Sequence, residues 1–298
     1  MKENDQIRYG KIVLAPLKIL TLYLFILGSL TIDFAELSSE VLGLNGVLVL
    51  LTVCLGHSVG LHRGIIHKSY QTSRWFRNLL AYAFVFTGLG GPLNWLKFHY
   101  YRDYWQNQSE CLPYFGYKHS LLKDYWWNLH LSFRPTNVDR YNIPKDDLED
   151  TWLRFLNGTW LAHILGMALL FYLLYGWNAM LFLVAFRAAV TILAHWFIGY
   201  ASHTHGYVRY EVSGASESGY NDVLLGVCSF GEGFHNNHHA YPKSAKFSKS
   251  WFELDLGWCA IVILKYIGLI WEVQTHRDAE ARAKALKVYP ITTTDILQ

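Results

Sequence analysis

A chain of 298 residues with a net charge of +3 has no basic excess with which to hold nucleic acid. Hydrophobic residues make up 52% and charged ones only 16%, with 12 Trp and 20 Tyr, which excludes an ordinary soluble surface and suits one partly in lipid. The four cysteines, Cys54, Cys111, Cys228 and Cys259, are scattered without a CxxC pair, so ordinary packing is their expected role.

In chain order, residues 13–33 and 41–61 are apolar enough to cross a hydrocarbon core of ~30 Å. Residues 79–93 are apolar but short and end in "GLGGP", so they read as an interfacial or re-entrant helix. Residues 158–177 and 179–200 are two further spans. Residues 256–273 carry Lys265 at their centre, at a cost of about 2.5–3.5 kcal/mol for insertion, and read as interfacial. Only Lys18 and Arg187 place a charge inside a span; Lys18 lies near an end, and Arg187 should face other helices. The first apolar stretch is full length and lacks a small-residue cleavage pattern, so no cleavable leader is expected.

Lysine and arginine are nearly all in the N-terminal segment, residues 62–157 and the tail after residue 201, whereas the loop 34–40 holds only acidic charges. Those basic parts, both termini included, are therefore expected in the cytoplasm. The sequons at Asn107 and Asn157 then lie on the wrong side for glycosylation. The expectation is one all-α integral membrane domain over residues 1–298, with four transmembrane helices and a cytoplasmic cap.

That topology gathers more than half of the 14 histidines on one membrane side. His62 and His67 stand in "HRGIIHKSY", His99 in "HYYRD", His203 in "ASHTHGY", and His235, His238 and His239 in "GEGFHNNHH". On a helix His235 and His239 share a face and suit one ion, while His238 is rotated by about 100° toward a second. In α-helical geometry His62 and His67 point roughly 140° apart, which suits two ions better than one. Imidazole ligands favour Fe, Zn, Cu or Ni. The arrangement is that of a dinuclear site laid across helix ends.

The motifs "HRGIIHKSY" and "GEGFHNNHH" resemble two histidine boxes of the membrane-bound fatty acyl desaturases, most closely the stearoyl-CoA desaturase type, and the order of spans and boxes agrees over about residues 10–275. The resemblance implies four spans, a histidine-ligated di-iron centre in the cap, a narrow acyl tunnel and O2-dependent insertion of a double bond. Carried over by position, His62, His99 and His238 would serve one iron, and His67, His203, His235 and His239 the other. The chain departs from the family at "HYYRD", where HxxHH is expected. Arg102 stands in place of one ligand and cannot bind a metal. Asp103 stands in place of another, and a carboxylate can serve. Gly199 occupies the position of an asparagine that reaches one iron through water. His57 and His195 are candidate replacements, with His205, His119 and His130 weaker ones.

The implied activity is that of an acyl desaturase with two Fe ions and O2 as co-substrate. A hydroxylase on the same scaffold is the second reading, and a non-catalytic membrane metal or lipid binder the third. The substrate class is a lipid acyl chain carried on CoA, carrier protein or phospholipid. No "HPGG" heme motif is present, so an external donor such as cytochrome b5, ferredoxin or rubredoxin is implied, at a bacterial inner membrane or the endoplasmic reticulum.

Overall fold

The computed structural model describes residues 9–278 and 286–291. Its helices follow from the apolar runs and from the residues at their ends. Pro16 opens α1 (Pro16–Ser29), where the missing N–H costs nothing. Ser38 Oγ accepts from Val41 N at 3.2 Å and starts α2 (Ser39–Ile66). From Leu50 to Ile66, α2 is wound with π-type, i→i+5 hydrogen bonds. α3 (Arg74–Val85) is stopped by Gly88 and Gly90, at φ of +81° and +98°, and Pro92 opens α4 (Pro92–Gln106). The helix expected over 79–93 thus begins earlier and ends before the glycines. α5 (Leu121–His130) follows.

Thr151–Thr204 is an apolar helical stretch of 54 residues. It is broken at Gly176, whose φ of 80° and ψ of −178° lie outside the helical region. Arg187 Nη2 lies 3.9 Å from Met167 Sδ, whereas 20 residues of unbroken helix would separate them by about 30 Å. The stretch is therefore a hairpin of α6 (residues 151–175) and α7 (residues 177–204). Leucines along its outer faces stay exposed, Leu169 and Leu173 among them, as do Leu20 and Leu24 of α1. Such apolar exposure on long helices seeks another apolar phase. Inward, Leu61, Phe84, Leu96, Leu153 and Leu183 are fully buried and join α2, α3, α4, α6 and α7 into one core.

Three short helices complete the site's surroundings: α8 (Val223–Cys228), α9 (His235–Ala240) and α10 (Leu256–Tyr266). Two corrections to the expected architecture arise here. The apolar stretch 256–273 is helical only to Tyr266, because Ile270–Trp271 pairs as a strand with Gln71–Thr72. The cap is also not purely helical: Gly10–Leu14 pairs antiparallel with Leu131–Pro135, and Tyr210–Val212 with Leu286–Val288. Chain segments that leave a helix still need backbone partners, and these ladders supply them.

Arg187, expected to face other helices, does so. Its Nε donates to Leu183 O at 2.8 Å, and Nη1 donates to Thr52 Oγ1 at 3.1 Å and Phe86 O at 2.7 Å. The guanidinium thereby satisfies a carbonyl at the C-terminus of α3. Lys18 donates to the carbonyls of Asn128 and Leu131 at the end of α5.

Candidate metal centre

α2, α4, α7 and α9 converge at one end of the core and bring seven histidines together in two groups. Potential ligand atoms of His62, His67, His99 and His238 all lie within 4.8 Å of one another, and so do those of His203, His235 and His239. All but His67 are buried. The α-helical spacing argument set His62 and His67 apart; the π-type winding brings them together. With i→i+5 bonding, residue i+5 lies one turn above residue i, and His67 N donates to His62 O at 3.1 Å. Their rings are 4.8 Å apart, centroid to centroid. Accordingly His67 sits with His62, His99 and His238 rather than with His203, His235 and His239.

The sequence "HNNHH" folds as α9 because its two asparagines are anchors. Asn236 Oδ1 accepts from the backbone N–H of Arg209 and Tyr210, and its Nδ2 donates to Tyr210 O. Asn237 Oδ1 accepts from Asn221 Nδ2, and its own Nδ2 donates to Phe247 O. With both amides turned into the cap, the three histidines face the other helices. Arg63, between the two histidines of the α2 motif, fastens the cap to α2. It is fully buried and donates to Ala245 O, Phe230 O and Asp255 Oδ1. Gly231 permits that approach: a Cβ there would stand 2.5 Å from Arg63 Nη2 and 2.2 Å from Asp255 Oδ1.

Three carboxylates face the Nδ1 atoms of three cluster histidines. Glu232 lies 2.6 Å from His62, Asp103 3.6 Å from His99, and Glu217 3.6 Å from His203. A carboxylate at one ring nitrogen orients the imidazole so that the other can bind metal. Burial by itself would raise the Glu232 carboxyl, but the His62 imidazole and the Arg63 guanidinium hold it well below the usual carboxylate range. Burial, followed by the charges of neighbouring histidines and, for His99 and His235, of Arg102, keeps His99, His235 and His238 well below the usual imidazole range. Neutral imidazole is the state that ligates.

The donor set fits metal ions. His62 Nε2 and His238 Nδ1 are buried with no hydrogen-bond partner. His235 Nε2 and His203 Nε2 stand 3.1 Å apart. Two nitrogens each about 2 Å from a common ion are separated by about that much.

Asp103, His57 and His195 belong to neither group among the described residues. His57 and His195 meet edge to face, centroids 4.9 Å apart, beside Trp95. His119, His130 and His205 have separate partners: Asp124 at 2.7 Å, Tyr23 Oη at 2.9 Å and Thr204 Oγ1 at 2.7 Å. Arg102 points into a cavity that also touches His62, Glu232 and His235. From there the cavity runs between α2 and α7 along Val49, Val53, Val190, Ala194 and Ile198, as far as Asn45 and Arg187. Gly199 lines it too, and a Cβ there would come 3.8 Å from the Tyr117 hydroxyl. Tyr117 stacks on His203 with centroids 4.2 Å apart and planes 8° from parallel.

Sequence reasoning missed Glu232 and Glu217. For Glu232 there was a signal, an acidic residue in the glycine-flanked approach to "HNNHH"; "GASESGY" offers nothing to distinguish Glu217.

A family model described as fatty acid desaturase matches residues 41–260. The chain is 30% identical over 244 residues to the sn-1 stearoyl-lipid 9-desaturase of Anabaena variabilis, covering 80% of this chain and 86% of that one. It is 31% identical to the sn-2 palmitoyl-lipid 9-desaturase of Nostoc sp. (strain 36), covering 79% and 82%. It is 26% identical to the acyl-CoA 5-desaturase AL21 of Anemone leveillei, covering 80% and 74%. The chain belongs to the fatty acid desaturase family.

Proposed function

We propose that the two histidine groups hold a pair of iron ions and that the cavity beside them takes the acyl chain which this desaturase oxidises. The observation that carries the reading is the junction itself: two groups of imidazoles, all but His67 buried, at the end of an apolar cavity. Iron bound there supplies, with O2, the oxidising power to remove two neighbouring hydrogens from unactivated methylenes. The chain's own residues bind, orient and exclude water. Glu232, Asp103 and Glu217 aim His62, His99 and His203, while Trp95 and Phe247 pack against the His62 ring. Val49, Val53, Ala194 and Ile198 offer an acyl chain apolar contact and no competing hydrogen bonds.

The four apolar helices α1, α2, α6 and α7 cross the membrane in this reading, and both termini lie in the cytoplasm with the cap, at a bacterial inner membrane or the endoplasmic reticulum. The basic segments of that face suit an acidic external electron donor, such as cytochrome b5, ferredoxin or rubredoxin. The acyl carrier is a phospholipid, CoA or carrier protein; the names of the relatives include lipid-linked and CoA-linked substrates. A hydroxylase on this scaffold is the second reading, favoured by Arg102 standing where the family has a metal-binding histidine.

The test is lipid analysis of an unsaturated-fatty-acid-auxotrophic host expressing the chain, with His235→Ala as control. New alkenes in the wild type alone are expected. Hydroxylated chains without alkenes would establish the second reading, and an unchanged lipid profile would defeat both.

A further inference from the structure

The two histidine groups are unequal, and Arg102 lies at the poorer one. The group of His62, His67, His99 and His238 offers four imidazoles, whereas that of His203, His235 and His239 offers three. Arg102 is one turn beyond His99 on α4 and lines the same cavity as His235, Ser202 and Gly199. Its Nε is buried without a hydrogen-bond partner, and no ion pair joins its guanidinium to a carboxylate among the described residues. The Arg102 charge reaches the Tyr117 hydroxyl, whose ring is stacked on His203, and Arg102 lines the cavity with His235, so the guanidinium stands beside the three-histidine group.

A fixed positive charge next to a cation site opposes occupancy of that site, the more so out of water. The same charge becomes an asset when an anion lies between the two. A guanidinium presents a planar fork that matches a carboxylate, and carboxylate oxygen is an ordinary ligand for iron.

We infer that Arg102 forms an anion site, holding a carboxylate that completes the coordination of the three-histidine group in place of a fourth imidazole. This rests on the metal-centre reading above. No bond within the anion is made or broken. The carboxylate has two possible sources: a small free anion such as formate, or the head of a fatty acid whose chain lies along Val53, Ala194 and Ile198. The chemistry at Arg102 is the same for both.

The experiment uses the full chain in detergent, stripped of metal by a chelator and titrated with Co2+ in chloride buffer alone, with formate, or with palmitate. Tightly bound Co2+ per chain and its visible absorption are read, and thermal unfolding reports whether each variant is folded. Expected is about one ion per chain in chloride and about two with a carboxylate, the second binding about tenfold more tightly or better, which is the scale of effect for groups that support a metal ligand. A response to formate identifies a small free anion; a response to palmitate alone identifies the lipid source. Arg102→Gln should lose the response, and Arg102→His should bind about two ions without any carboxylate. An ion count that ignores carboxylate, or a response that persists in Arg102→Gln, overturns the anion site and leaves the metal centre standing. A chain that binds no Co2+ at all overturns the metal-centre reading together with this one.

Discussion

The Glu232 carboxylate lies 2.6 Å from His62 Nδ1, and its other oxygen accepts from Ser58 Oγ at 2.5 Å. One largely covered acidic side chain thus ties the loop before α9 to α2 and sets the ring of a histidine in the four-membered group. Replacing it with glutamine keeps the size but removes the charge that holds the ring. Glu232→Gln is expected to weaken metal binding about 10–100-fold while the protein remains folded. Metal titration of the apo-protein, with circular dichroism as the folding control, checks this; unchanged affinity would remove Glu232 from the site.

Asp103 allows a graded comparison on α4. Its carboxylate stands 3.6 Å from His99 Nδ1, so His99→Ala should abolish one bound ion, whereas Asp103→Asn should weaken that ion about 10–100-fold. Iron per chain after gentle purification distinguishes the two. Equal, complete losses would instead make Asp103 a ligand in its own right, and no loss in Asp103→Asn would leave its charge without a part in the site.

Stability of the buried helices depends on Arg187. Arg187→Met removes donors to Thr52 Oγ1 and to the carbonyls of Leu183 and Phe86 at a buried position. Leaving such a group unsatisfied costs about 1–3 kcal/mol. Thermal unfolding in detergent should show a lowered midpoint, and an unchanged one would mean that these carbonyls find other partners.

A pH effect is expected in the cap, at Glu253. Burial would raise its carboxyl, but the Tyr207 hydroxyl, the backbone N–H groups of Lys249 and Ser250 and the Arg209 guanidinium bring it below the usual range. A carboxyl lowered by folding adds stability above its unfolded value of about 4.3, and that stability is lost as pH falls through the lower, folded value. The unfolding midpoint should therefore drop in acid. Glu253→Gln should be less stable at neutral pH and show a smaller drop; an equally steep profile in the variant would place the acid-sensitive group elsewhere.

Much of this protein was legible in the chain itself. Apolar runs of sufficient length, the lone Arg187 within one of them and the four histidine motifs led to the helices and to the residues that meet at their ends. These are local signals: hydrophobic length, charge and helix-breaking glycine or proline act within a few turns of chain. The grouping of the histidines was not local. His62 and His67 meet because α2 is wound with i→i+5 hydrogen bonds, and the motif "HRGIIH" does not reveal that winding. Glu217 reaches His203, and Tyr117 stacks on the same ring, from segments that only the packed cap brings to α7. Arg102 was readable as a missing ligand, but its place in the cavity beside Gly199 and His235 was decided by how α4 packs against α2 and α7. Residue type determined which groups can bind metal, whereas helix winding and long-range packing determined which of them stand together.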